Sequence, residues 1–110
     1  MDYAQGLFDK LYAKLPVQDG HREPMLNLLC YAQGDSVTLL VIPRKRHRPS
    51  FYGTEGEGTM LISPASVDLG GVFITPLEKD FNVFDADTAR RLYDELCLSP
   101  AEAQAIAETI

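Results

Sequence analysis

The chain has 110 residues, of which 45% are hydrophobic and 24% are charged, and these proportions predict a single soluble domain over residues 1–110 rather than a disordered or fibrous chain. Sixteen Asp and Glu residues against ten Lys and Arg residues give a formal net charge of -6. This balance argues against a general nucleic-acid binder, because such proteins need broad cationic surface, and we expect no nucleic-acid partner.

The first elements are an amphipathic helix and a β-hairpin. Residues 2–15 are predicted to be helical, because apolar side chains recur there at helical spacing and Pro16 follows. Two apolar runs, 25–32 and 36–42, of which the second is partly β-branched, flank Gly34-Asp35. Runs of this kind on either side of such a turn predict an antiparallel hairpin.

The middle of the chain predicts a loop followed by two more strands. Residues 44–58 are polar and contain glycine, which favours a loop, with a short strand at 50–52. The apolar runs 59–62 and 71–75 are predicted to be the third and fourth strands. Between them, 63–68 can form one helical turn, with Ser63 as its cap and Pro64 at its first position.

The remainder of the chain is predicted to be helical. Asp85 can cap a helix over 86–96, and Ser99 begins a capping box that ends at Glu102 and opens the last helix. Together these elements predict an α+β fold with a small, mainly antiparallel sheet, an N-terminal helix and C-terminal helices.

The cysteines and the apolar runs indicate a cytoplasmic protein. Cys30 and Cys97 lie inside apolar runs, as buried, reduced thiols usually do. The N-terminus lacks the regions of a signal peptide, and no apolar run is long enough to cross a bilayer. We therefore expect a cytoplasmic location and no membrane partner.

The basic residues are concentrated in one segment, which carries the main functional signal. Four of the ten Lys and Arg residues, with His47, lie between Pro43 and Pro49, and the six others leave a balance of -10 against the sixteen acids. Arginine forks suit bidentate contact with phosphate or carboxylate, so a phosphorylated ligand is one interpretation. The alternative is that the segment pairs with acidic groups such as Glu55 and Glu57 and only stabilises a loop. The phosphate-binding candidates are Arg44, Lys45, Arg46, His47 and Arg48.

Other residues give weaker signals. His21 and His47 are far apart, and the acids Glu55 and Glu57 are typical of a solubilising turn, so neither a metal site nor a cofactor is predicted. The pair Gly70-Gly71 allows close approach of a ligand to the backbone, although glycines also serve turns. No nucleophile with an adjacent base can be assembled, and no catalytic residue is predicted.

The order of several short motifs resembles a known superfamily. These are Leu26-Asn27-Leu28-Leu29, a hairpin, Leu40-Val41-Ile42-Pro43-Arg44, Ile62-Ser63-Pro64, and Val67-Asp68-Leu69-Gly70-Gly71-Val72-Phe73-Ile74. The chain resembles the C-terminal portion of the diadenosine tetraphosphate phosphorylase, or ATP adenylyltransferase, branch of the histidine-triad superfamily, and more closely a related bacterial family. The similarity covers roughly residues 25–80, and its specificity lies in the order and spacing of the motifs.

This resemblance implies nucleotidyl transfer or phosphorolysis of a nucleoside polyphosphate or sugar nucleotide through a histidine. The chain departs from the pattern, because neither His21 nor His47 is followed two positions later by a second histidine. The chain is therefore expected to be either the C-terminal part of a longer histidine-triad-like protein or a natural relative that has lost the chemistry. The resemblance implies that Asn27, Gly70 and Gly71 lie near the ligand. The expected partners are a nucleotide or sugar nucleotide and either a missing N-terminal catalytic domain or a second copy. The alternative is a non-catalytic protein-interaction module that uses the basic loop 44–48.

Overall fold

The computed structural model describes residues 2–110, which form one β-hairpin and five helices. This is the α+β arrangement predicted from the sequence, with a helix before the sheet and helices after it. None of the helices in this part of the chain is long and apolar enough to cross a membrane. In chain order the elements are α1 (Asp2–Lys14), β1 (Leu26–Gln33), β2 (Ser36–Pro43), α2 (Ser66–Leu69), α3 (Glu78–Val83), α4 (Ala86–Leu96) and α5 (Pro100–Ala107).

The two strands form the antiparallel hairpin that the sequence predicts. Pairing runs without a bulge from Leu26 opposite Pro43 to Gln33 opposite Ser36. The turn has φ of +59° at Gly34, whereas Asp35 has no positive φ. A positive φ at the first of two turn residues is the type II′ pattern, which glycine adopts without strain and which matches the twist of the strands.

The predictions of strands at 59–62 and 71–75 are wrong, because within residues 2–110 neither segment joins a ladder. A single parallel bridge between Tyr52 and Met60 is all that remains of the third strand. Side-chain carboxylates take the place of strand partners. Asp80 Oδ2 accepts from the Leu61 N–H at 2.9 Å, and Asp68 Oδ1 accepts from the Ile74 N–H at 3.2 Å.

The short helix α2 begins later than predicted, whereas the caps of α4 and α5 are confirmed. No side-chain cap bond forms at the start of α2, and Ser63 lies outside the helix; the Asp68 carboxylate instead accepts from the Ala65 N–H at 2.9 Å. Asp85 accepts from the Thr88 N–H at 2.8 Å, and Ser99 accepts from the Glu102 N–H at 3.1 Å. Proline stands at the first position of α5, as expected.

The hydrophobic core lies between the loop after β2 and α4, away from the hairpin. Around it pack Phe73, Phe84 and Cys97, which are partly buried. The hairpin is largely exposed, so the prediction that Cys30 is buried is wrong, whereas Cys97 is half-buried. The reason is that apolar runs in a two-stranded sheet are covered only where another element lies over them. The core residues are Phe51, Met60, Ile62, Leu92 and Leu96.

Candidate functional site

Arg44 is the buried residue around which the basic segment, residues 44–48, is folded. It follows β2 and forms an antiparallel bridge with Cys97 at the end of α4. Only 5% of its surface is exposed. Nη1 donates to Asn27 Oδ1 at 3.0 Å and to the Pro64 carbonyl at 2.7 Å, and Nη2 donates to the His47 carbonyl at 2.8 Å. Both terminal nitrogens therefore have partners within the chain, and the bond to His47 bends the segment back on itself.

The charge of Arg44 is buried without a carboxylate partner, because no ion pair in residues 2–110 includes it. Burial lowers the pKa of its guanidinium, and nearby Cys97 and Asp68 oppose that shift. Burial likewise raises the pKa of the Cys97 thiol, although Arg44 and Lys45 oppose it. Two buried polar atoms beside the segment, Arg44 Nε and Glu95 Oε2, have no hydrogen-bond partner. The guanidinium of Arg44 and the carboxylate of Glu95 thus each keep one buried polar atom without a hydrogen-bond partner, which costs free energy.

Of the residues after Arg44, Lys45 is half-buried, whereas Arg46, His47 and Arg48 are exposed. The Lys45 N–H donates to the Leu96 carbonyl at 2.8 Å, which ties the segment to the end of α4. The side chain of Arg46 is 50% exposed, and its Nη1 lies 3.6 Å from Glu95 Oε1. Arg48 Cζ lies 4.2 Å from the centroid of the Tyr52 ring, a cation–π contact that holds the guanidinium in place.

Arg91 is a cation outside the basic segment, and the sequence pattern did not single it out. Its Cζ lies 4.1 Å from the centroid of the Phe51 ring, next in the chain to the ring that Arg48 contacts. Arg91 and Glu95 are four residues apart on α4, so they share a face of that helix. The sequence spacing of Arg91 and Glu95 predicts that they share a helix face, but no sequence pattern predicts that α4 lies near the basic segment. We name the exposed set Arg46, His47, Arg48 and Arg91 the cationic surface.

The structure brings one of the three other candidates, Asn27, into contact with Arg44. The Asn27 side chain contacts Arg44 and also donates through Nδ2 to Ser66 Oγ at 3.0 Å. Gly70 packs near Leu29, where an added Cβ would lie 3.2 Å from the Ser66 carbonyl. Gly71 has φ of +112° and open space around it. Asn27 therefore joins the basic segment, whereas the glycines are linked to it only through α2.

The acidic residues near the site do not gather around a common point. Glu55 and Glu57 are exposed in the loop before Thr59, and within residues 2–110 no group of three or more His, Cys, Asp or Glu side chains is placed to hold a metal ion. His21 lies in the exposed segment before β1, and His47 is exposed in the basic segment. The chemistry that this arrangement offers is the binding of an anion at the cationic surface.

A protein-family model described as "GDPGP1-like, C-terminal domain" matches residues 20–110, which is most of the chain. The chain belongs to this family. The family is of the histidine-triad-like kind and its name refers to GDP-D-glucose phosphorylase 1, so the expected relationship to a C-terminal phosphorylase domain of that superfamily is confirmed at this level. Helix α1 lies outside the matched residues. No curated protein and no solved structure matches the chain significantly.

Proposed function

We propose that the chain is the C-terminal domain of a phosphorylase or nucleotidyltransferase that acts on sugar nucleotides or nucleoside polyphosphates. It supplies scaffold and phosphate-binding cations, and an N-terminal domain supplies the catalytic histidine. The observation that carries this proposal is the fold of the basic segment around the buried Arg44, which leaves Arg46 and Arg48 exposed. The formal charge of all residues outside the segment is -10, so the segment is a positive region on an acidic chain. The family is one of C-terminal domains, which supports the proposal that a separate N-terminal domain supplies the catalytic histidine.

Within the proposed site the cations have different roles. Arg44 is a positioning residue, because both its terminal nitrogens donate to oxygens of the chain. Arg46 is available to a phosphate, because its contact with Glu95 is long and half-exposed, and such pairs contribute little stability. Arg48 is held by Tyr52, so less side-chain entropy is lost when it binds a ligand. Lys45 and His47 complete the set of phosphate contacts.

The preferred substrate class is a sugar nucleotide. The family name refers to GDP-D-glucose phosphorylase 1, a protein whose name states a sugar nucleotide. A dinucleoside polyphosphate, which the sequence resemblance implied, is the second class. Both classes carry a chain of phosphates that arginine forks can bind, so the phosphate contacts are common to them.

Calorimetric titration of the chain with GDP-glucose and with ATP tests the proposal. We expect binding that weakens as salt is raised, because contacts between exposed charges are screened. The double variant Arg46→Gln/Arg48→Gln is expected to lose most of the affinity. The matched control is Arg22→Gln/Arg90→Gln, which changes the net charge by the same amount at exposed positions outside the cationic surface. Equal losses in both variants, or no binding by the unaltered chain, would contradict the proposal.

A second candidate function is a protein-interaction module, and one contact favours it. Arg46 already lies 3.6 Å from the carboxylate of Glu95, so the segment accepts an acidic side chain within its own fold. An acidic partner surface would compete for the same guanidinium. Binding of an acidic peptide that depends on Arg46 and Arg48, together with no heat from either nucleotide, would favour this second function.

A further inference from the structure

The outer edge of β1 is unpaired along its length. Gln33 and Ser36 close a two-residue turn and are therefore a hydrogen-bonded pair, so the odd-numbered residues of β1 bond to β2. The backbone groups of Leu28, Cys30 and Ala32 consequently point away from β2. No backbone hydrogen bond joins these three residues to another segment of residues 2–110.

The outer edge of β2 is different, because another segment already occupies its end. The Leu98 N–H donates to the Pro43 carbonyl at 3.2 Å, and Arg44 bridges Cys97 beside it. The residues after α4 thus lie along this edge of the hairpin. Of the two edges, that of β1 is the one without a backbone hydrogen bond to another segment of residues 2–110, although α2 packs against Asn27 and Leu29 near its base.

The open edge also lacks the features that keep sheet edges apart. β1 has the sequence Leu-Asn-Leu-Leu-Cys-Tyr-Ala-Gln, which contains no charged residue and no proline, and its pairing has no bulge. Natural proteins protect free edges with such features, and an edge of eight residues without them is a template for another strand. Large apolar side chains on the strand are exposed, with Tyr31 at 53% and Leu28 at 40%.

The chain exposes more surface than a compact monomer of its mass. A compact protein of 12.2 kDa has about 6,100 Å² of accessible surface, whereas this chain has 7739 Å². Its radius of gyration is 16.0 Å, against about 13 Å for a compact domain of this length. The excess of roughly 1,600 Å² exceeds the ~800 Å² that each partner buries in a standard interface. The surface available is therefore sufficient for a stable dimer.

We propose that β1 pairs in antiparallel fashion with β1 of a second copy, which joins two hairpins into a four-stranded sheet. Antiparallel pairing of a strand with itself has two-fold symmetry, which is the commonest symmetry of protein dimers. The outward groups of Leu28, Cys30 and Ala32 have the same spacing in both copies, so a register centred on Cys30 places Leu28 opposite Ala32. Because β1 has no charged residue, no like charges meet along the seam.

A matched pair of proline variants tests the proposal. Ala32 and Val37 lie opposite each other, and the N–H of each points away from the partner strand. Proline at either position thus spares the hairpin's own bonds and removes a donor from one outer edge only. By sedimentation or light scattering over a concentration series, we expect the unaltered chain and Val37→Pro to have twice the mass of one chain. Ala32→Pro is expected to have the mass of one chain, with an unchanged circular dichroism spectrum.

Cross-linking gives a second readout that leaves the backbone intact. With a short bifunctional maleimide, we expect a covalent dimer from the unaltered chain and from Cys97→Ser, and none from Cys30→Ser. A chain that stays monomeric, an Ala32→Pro variant that dimerises like Val37→Pro, or a covalent dimer that survives Cys30→Ser would overturn the proposal. A chain that stays monomeric would instead indicate that a different domain pairs with the edge of β1.

Discussion

Asn27 joins Arg44 to α2 through the two ends of one amide. Its Oδ1 accepts from Arg44 Nη1 at 3.0 Å, and its Nδ2 donates to Ser66 Oγ at 3.0 Å. Both ends of the amide are engaged, so this side chain fixes the hairpin, the basic segment and α2 relative to one another. The buried guanidinium depends on neutral oxygens alone, and the geometry of those oxygens decides the stability of the site.

Replacement of Arg44 by lysine is expected to lower the free energy of unfolding. A single ammonium group cannot reach all three oxygens that the planar guanidinium contacts, those of Asn27, Pro64 and His47. Each buried group left without a partner costs about 1–3 kcal/mol. Urea unfolding measures the loss, and Arg46→Lys is the control, with a change of about 0.5 kcal/mol or less because its ion pair is exposed. Equal midpoints for the two variants would contradict the structural role of Arg44.

Asp80 makes the stability of the fold dependent on pH. Its carboxylate is buried, with 1% exposed, and accepts from the Leu61 N–H and from Lys79 Nζ. Desolvation raises the pKa of Asp80, but these hydrogen bonds and the charge of Lys79 outweigh it, so the pKa lies below its usual value. A carboxyl with a depressed folded pKa stabilises the fold above the unfolded pKa of about 3.9. That stability is lost as the pH falls through the folded pKa.

We therefore expect Asp80→Asn to be less stable than the unaltered chain at neutral pH, by about 1–3 kcal/mol. The difference should begin to shrink as the pH falls below about 4, the unfolded pKa, and it should vanish below the folded pKa, where the unaltered chain has lost its carboxylate as well. Urea unfolding at a series of pH values measures it. Asp87→Asn removes a carboxylate from an exposed pair with Arg90 and is the control. A difference that stays constant over the acidic range would exclude Asp80 as the source.

The parts of the fold that the sequence predicted are those set by neighbouring residues. The hairpin follows from a turn at Gly34 between two apolar runs, and the caps of Asp85 and Ser99 act within one helical turn. The strands at 59–62 and 71–75 were predicted wrongly for the opposite reason. Whether their N–H groups pair with a strand or with a carboxylate depends on where distant parts of the chain place Asp80 and Asp68.

The candidate site likewise has features that the local sequence predicts and features that depend on distant segments. The concentration of charge at residues 44–48 is visible in the sequence, because its basic residues follow one another in the chain. The inward direction of Arg44 is not visible, since its acceptors Asn27 and Pro64 come from other segments. Arg91 joins the cationic surface only because α4 packs beside Phe51, and packing of that kind has no local sequence signal.

Loss of the cap at Asp85 is expected to destabilise α4. The Asp85 carboxylate accepts from the Thr88 N–H and hydroxyl, each at 2.8 Å, and the backbone bond is the largest cause of its lowered pKa. Asp85→Ala should lower the free energy of unfolding, because the first turn of α4 loses its side-chain acceptor. Asp94→Ala removes an exposed carboxylate from the same helix, and its change should be about 0.5 kcal/mol or less. If Asp94→Ala costs as much as Asp85→Ala, the loss reflects charge and not the cap.

Replacement by alanine is expected to lower the free energy of unfolding at Gly71 and to raise it at Gly6. Gly71 has φ of +112°, and Gly6 lies inside α1; neither has an atom within 4 Å of an added Cβ, so steric clash plays no part. Gly71→Ala forces an L-residue into a disfavoured conformation, at a cost of about 1–3 kcal/mol. Gly6→Ala should stabilise the chain by about 0.5–1 kcal/mol, because glycine inside a helix loses more backbone entropy than alanine. Urea unfolding measures both, and a stable Gly71→Ala variant would mean that this turn adopts a negative φ.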